Sequence, residues 1–160
     1  MDNECTALHF ACEDPKDFGV ALELIRNRAN VNAVGRRVIN ERSTQVSYDQ
    51  QNVYETSLHI ALRNQSYATA LLLVQMRAKL QIPYYYNNQV IPTLDICKNE
   101  QVKKALVEGW SPSSHKYFAK PIRDAIHATL LCFVHKKLAV PKPIIYEILQ
   151  FAVKKFYELN

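Results

Sequence analysis

The feature that most constrains this chain is a hexapeptide pattern that occurs twice. Thr6-Ala7-Leu8-His9-Phe10-Ala11 and Thr56-Ser57-Leu58-His59-Ile60-Ala61 both read T-x-L-H-x-A. Each is followed by apolar residues at helical spacing: Leu22 and Ile25 after the first, Leu71, Leu72 and Met76 after the second. One short helix pair cannot bury its apolar face alone. A chain that repeats such a pair must therefore stack the copies to make a core.

Downstream of the first hexapeptide comes Ala21-Leu22-Glu23-Leu24-Ile25-Arg26-Asn27-Arg28-Ala29-Asn30-Val31-Asn32-Ala33, and downstream of the second Ala70-Leu71-Leu72-Leu73-Val74-Gln75-Met76-Arg77-Ala78-Lys79-Leu80. A third, degraded copy reads Pro92-Thr93-Leu94-Asp95-Ile96-Cys97, then Val102 to Val107. These segments resemble the ankyrin repeat, whose signature is T-P-L-H-x-A at a period of about 33 residues. The resemblance covers residues 3–109. It implies an all-α ankyrin-repeat solenoid of three repeats, with His9 and His59 tying turns together and each Thr capping a helix. Arg28 and Arg77 stand where the family's turn carries glycine.

The spacing adds two insertions. Thr6 to Thr56 is 50 residues, about 17 more than one period, which makes 34–52 a long first hairpin insertion. A shorter one falls near Tyr84-Tyr85-Tyr86-Asn87-Asn88. Insertions in a repeat array map to loops, often on the binding face. The expected division is a repeat domain at 1–109 and a helical box or cap at 110–160.

The last quarter opens with the turn-rich Trp110-Ser111-Pro112-Ser113-Ser114-His115. Pro121 then starts a helical pattern through Ile122, Ala125, Ile126, Thr129, Leu130, Phe133 and Val134. Pro141 and Pro143 break it. The spacing predicts a last helix with Ile144, Ile145, Ile148, Leu149 and Ala152 inward. Two such helices can cap the array. They also resemble a SOCS box, through Ile122-Arg123 and Leu138 to Ile144, and an F-box-like tail found on some viral ankyrin proteins, through Val140 to Leu149. That second resemblance implies adaptor docking through Ile122, Arg123, Pro141, Ile144 and Ile148.

Chemistry is harder to find. The three glycines, Gly19, Gly35 and Gly109, are too far apart for a phosphate-cradling loop, and no cofactor is expected. Cys5, His9 and Cys12 have nearly helical spacing, but Cys5 precedes the Thr6 cap and no fourth ligand is near, so no metal is expected. His127, Cys132 and His135 share one helix, where His127 stands about 140° from Cys132 and is too far along the axis from His135 to chelate with it, so a Cys-His nucleophile pair would need tertiary contacts. Neither Asp95 nor Asp124 has a second carboxylate within sequence reach. The chain is read as a non-enzyme.

Net charge is +5, with −2 over residues 1–53, +2 over 54–109 and +5 over 110–160. The first twenty residues hold no long apolar run, so no leader is expected. The uncharged apolar stretch 64–76 is too short to span a bilayer. The four cysteines are expected to be free thiols, mostly buried, in a reducing compartment. The cytosol is the expected location, with the nucleus open to a chain of this size.

Three function classes follow. The first is a protein-recognition module that recruits substrate to a cullin ubiquitin ligase. The second is a plain ankyrin scaffold or inhibitor whose last helices only cap. The third is a basic-tail binder of nucleic acid or an acidic surface. Carried over from the ankyrin family by position, the partner-binding candidates are Asp2, Asn3, Cys5, Glu13, Asp14, Arg36 and Arg37 around the first repeat. Around the second they are Asn52, Val53, Glu55, Arg63 and Asn64. Their acids suggest a basic or mixed-charge protein partner.

Overall fold

A computed structural model of the chain describes residues 4–40, 50–86, 89–135 and 140–159, with the side chains of 38–40, 50–52, 133–135, 154 and 156–159 excepted. Asp2 and Asn3, most of the tip of the first insertion, and Leu138 and Ala139 lie outside the described residues. The chain separates into two compact units, Met1–Lys98 and Asn99–Asn160. This division falls eleven residues before the 109/110 boundary at which the repeat pattern stops.

The N-terminal unit runs α1 (Ala7–Ala11), α2 (Phe18–Arg26), β1 (Val34–Asn40), β2 (Gln50–Thr56), α3 (Ser57–Arg63), α4 (Tyr67–Gln75), β3 (Tyr84–Tyr86), β4 (Gln89–Ile91) and α5 (Thr93–Ile96). The helix pairs are those the hexapeptides imply. The all-α expectation is corrected, because a four-stranded antiparallel sheet of order β1-β2-β3-β4 joins them. The first insertion, expected as a long hairpin, forms two paired seven-residue strands, with Val34 opposite Thr56 and Asn40 opposite Gln50. Val34, Val38, Ile39, Val53, Tyr54 and Thr56 explain why. Branched and aromatic side chains fit a pleated, half-buried surface better than a loop.

Leu8, Leu58, Ile60, Leu62, Leu71, Leu72 and Leu73 form the fully buried core. Each contributes about 1.5–3 kcal/mol on leaving water. The central helix α4 buries Thr69 through Leu73 without a break, as a helix with neighbours on several sides must. Gly35 has a packing reason: a Cβ there would stand 3.1 Å from His9 Nε2 and 3.2 Å from both Cys5 Sγ and Glu4 O.

The helix-ending turns do form without glycine. Arg28 and Arg77 adopt positive φ, 64° and 67°, and Gln65 does so at 58°. The Arg28 and Arg77 turns are held to each other, since Asn32 Nδ2 donates to Arg77 O at 3.3 Å and Asn32 Oδ1 accepts from Lys79 N at 2.8 Å.

The C-terminal unit contains α6 (Glu100–Glu108), α7 (Lys120–His135) and α8 (Lys142–Leu159). Asn99 starts it, its Oδ1 accepting from Gln101 N at 3.0 Å and Val102 N at 3.2 Å while its Nδ2 donates to Tyr117 Oη at 2.8 Å. Asn99→Ala is expected to cost about 1–2 kcal/mol, the loss of one cap and one side-chain bond. Urea unfolding followed by helical circular dichroism checks this.

Within this unit Ile122, Ile126, Leu149 and Val153 are buried. The predicted inward face of the last helix is corrected. Ile144 and Ile148 are 46% and 37% exposed and Phe151 is 60% exposed, whereas Ile145 and Ala152 are half-buried and Leu149, one of the residues predicted inward, is buried together with Val153. Cysteine placement also departs from the expectation of mostly buried thiols: Cys12 and Cys97 are buried, Cys5 is half-buried and Cys132 is exposed, all four free.

Candidate functional site

Two histidines hold the repeat architecture. In the second repeat Thr56 N donates to His59 Nδ1 at 3.0 Å. That fixes the proton on Nε2, which lies 2.9 Å from both Ile82 O and Thr93 Oγ1. In the first repeat Thr6 N donates to His9 Nδ1 at 3.1 Å, and His9 Nε2 reaches Glu55 O at 3.2 Å. Each imidazole thus ties its own helix start to the next hairpin or loop. Burial is the main reason that both are poor bases, His59 falling to about 4. Burial likewise pushes the Cys12 thiol up to about 12, which leaves it protonated and unreactive. Among the described residues no group of three His, Cys, Asp or Glu could hold a metal ion.

Alternation along the strands sorts the sheet into two faces. Arg36, Tyr54, Tyr85 and Val90 share one face, with Arg36 opposite Tyr54, Tyr54 opposite Tyr85 and Tyr85 opposite Val90. Tyr54, Tyr85 and Val90 are 42%, 43% and 61% exposed. Arg37, Val53, Glu55, Tyr84, Tyr86 and Ile91 share the other face. There the Glu55 carboxylate, with no exposure, lies 3.3 Å from Arg37 Nε and 2.8 Å from Arg63 Nη1. Glu13 pairs with the far end of the Arg37 guanidinium. Arg63 also donates to Tyr84 Oη at 3.3 Å, and the Tyr84 and Tyr86 rings stack with centroids 6.1 Å apart.

Above this network opens a cleft of ≈ 690 Å³ between the sheet face and α3 and α5. Arg37, Arg63 and Lys98 give it positive groups, Asp95 a negative one, and Leu62, Tyr84, Tyr86, Ile91 and Ile96 give it apolar walls. The buried Glu55 offsets part of the arginine charge, so the cleft is polar at its floor and aromatic along one side.

Four residues that the ankyrin resemblance named, Glu13, Arg37, Glu55 and Arg63, therefore meet in one ion-pair network. Two of the named residues are internal: Val53 and Glu55 are 0% and 1% exposed and support the surface from beneath. Asp14 caps a short 3₁₀ turn by accepting from Lys16 N at 2.8 Å. Asn64 ends α3. Cys5 Sγ faces Arg36 O at 3.9 Å, and Arg36 Nε is buried with no hydrogen-bond partner among the described residues. Asn52 pairs with Val38 in the hairpin, its side chain lying outside the described residues. Tyr84, Tyr86 and Lys98 were missed by the sequence reading. The run Tyr84-Tyr85-Tyr86 carried the signal, because alternation in a strand sets its first and third rings on one face.

Of the adaptor candidates, Ile122 is 1% exposed and belongs to the interior. Arg123 Nε is buried without a hydrogen-bond partner among the described residues. Pro141 is exposed, as are Ile144 and Ile148. No helix of the described residues is long and apolar enough to cross a membrane.

No curated protein and no solved structure matches this chain. A family model does: the ankyrin-repeat model matches residues 3–36, so the segment of α1, α2 and the entry to β1 is similar to an ankyrin repeat, a unit that generally mediates protein–protein interaction.

Proposed function

We propose that the N-terminal unit is a non-catalytic recognition module that binds a protein segment in the cleft between the sheet and α3 and α5. The observation that carries this reading is the lining. Two half-buried arginines, an exposed lysine and stacked tyrosines sit on a floor fixed by a buried carboxylate, the combination of aromatic anchors and arginines that protein interfaces favour. Cytosolic residence, with access to the nucleus, fits this role.

The test compares wild type with Tyr86→Ala/Lys98→Glu in affinity capture from a eukaryotic lysate read by mass spectrometry. A specific protein is expected with wild type and lost with the folded cleft variant. Capture that is indifferent to the cleft substitutions would sink the reading.

A second reading concerns the C-terminal unit. Ile144, Ile148 and Phe151 form an exposed apolar ridge at i, i+4 and i+7 on α8, the spacing of a helix that meets another helix. The ridge favours adaptor docking over a purely capping role, with cullin-ligase adaptors as the proposed partner. Ile144→Asp/Ile148→Asp, shown folded by circular dichroism, is expected to lose those adaptors while keeping the cleft partner. If no cullin component is captured by wild type, the docking role falls.

A further inference from the structure

The C-terminal unit holds a second concavity that the recognition reading does not use. It has a volume of ≈ 380 Å³, within the range of ligand pockets. Trp110, Ile126, Leu130 and the Tyr146 ring make apolar walls, and two imidazoles, His115 and His127, are the basic groups of its lining. Trp110 is 4% exposed, and Tyr146 meets its ring edge-on at 6.2 Å between centroids. The slot is thus built of rings at fixed angles, an arrangement suited to a further flat apolar group.

The polar end is equally specific. Trp110 Nε1 donates to His115 Nδ1 at 3.2 Å. The His115 proton is therefore on Nε2, which remains as a donor. The His127 ring stands 6.4 Å from that of His115. Arg123 lies close enough to lower the proton affinity of His115, behind the larger effect of burial and ahead of His127. The nearby acid, Asp124, is held by Lys120 Nζ at 2.7 Å, and the pocket lining carries no carboxylate. Donors and positive field thus converge on one end of an apolar slot.

We propose that this pocket binds an aromatic carboxylate, with its ring between Trp110, Leu130 and Tyr146 and its anionic head at His115 and His127 in the field of Arg123. The shared chemistry has two sources, a free aromatic acid or an aromatic residue beside an acidic one in a peptide.

Trp110 is the only tryptophan of the chain, so its emission reports on the pocket directly. The full chain is titrated with 4-phenylbutyrate, with 4-phenylbutanol as the neutral match, and with an acetylated, amidated Asp-Phe peptide. The acid or the peptide is expected to change the emission saturably, with the alcohol roughly tenfold weaker, a difference of about 1.4 kcal/mol. His127→Leu, at an exposed position, is expected to weaken the acid or peptide by a similar factor and leave the alcohol unchanged, its unliganded emission showing that the fold is kept. Tighter binding of the free acid assigns a small-molecule site, and tighter binding of the peptide assigns a protein side chain. No saturable response to acid or peptide at about 10 mM, equal binding of acid and alcohol, or indifference to His127→Leu each overturns the proposal.

Discussion

Lowering the pH from 7 to 4 is expected to cost the N-terminal unit about 3 kcal/mol through His59 alone. The folded imidazole binds its proton near 4, against 6.5 in water, because burial opposes the charge. Nδ1 is also occupied as an acceptor from Thr56 N, so a second ring proton would face a backbone N–H. The sign follows from linkage. The unfolded chain binds a proton below pH 6.5 and the folded one does not until about 4. Stability is therefore whole above 6.5 and is lost as pH falls between the two values, at about 1.36 kcal/mol per unit. His9 is shifted the same way and adds to the loss. Urea unfolding at stepped pH, with His59→Gln alongside, isolates the effect. The variant is less stable at neutral pH, because it breaks the ties to Thr56, Ile82 and Thr93, but its acid slope is shallower. Equal slopes for the two proteins would show that other groups set the acid response.

The second large effect is at the cleft floor. Arg63→Met is expected to destabilise by about 3 kcal/mol, because it strands a carboxylate with no exposure while removing its nearest cation. Arg37 stays at 3.3 Å and keeps the loss at the low end for a broken buried pair. Glu55→Gln is expected to cost less, since both arginines are partly exposed and reach water. Combining the two substitutions restores part of the loss, with a coupling of about 1–2 kcal/mol. Chemical denaturation of the four proteins measures it. Strictly additive losses would mean that Glu55 and Arg63 do not act as a pair.

The helix pairs were legible because Leu8, Leu58, Leu71 and Leu72 recur at helical spacing and are all buried. The ties made by His9 and His59 were legible from the hexapeptide they belong to. The sheet was not, since polar residues such as Arg36, Arg37, Gln50, Gln51 and Asn52 dilute the alternation that marks a strand. The ion-pair network was illegible for a different reason. Arg37 and Glu55 are 18 positions apart in sequence, and only the hairpin register sets them on one face. On α8 the error has a geometric cause. Ile144, Ile145, Ile148, Leu149, Ala152 and Val153 cover about half the circumference, so spacing alone does not say which part of that arc is buried. Leu149 and Val153 turned inward and Ile144 and Ile148 outward.

The left-handed arginines at the two turns have a consequence for how this lineage can change. Arg28 and Arg77 each hold a conformation that costs a side-chain-bearing residue about 1 kcal/mol or more and costs glycine little. A single substitution to glycine at either turn relieves that tension without touching the cleft or the ridge. The chain therefore keeps an unused margin in reserve. A descendant that acquired a destabilising but useful change on its recognition surface could recover its foldedness at a residue that does not line that surface.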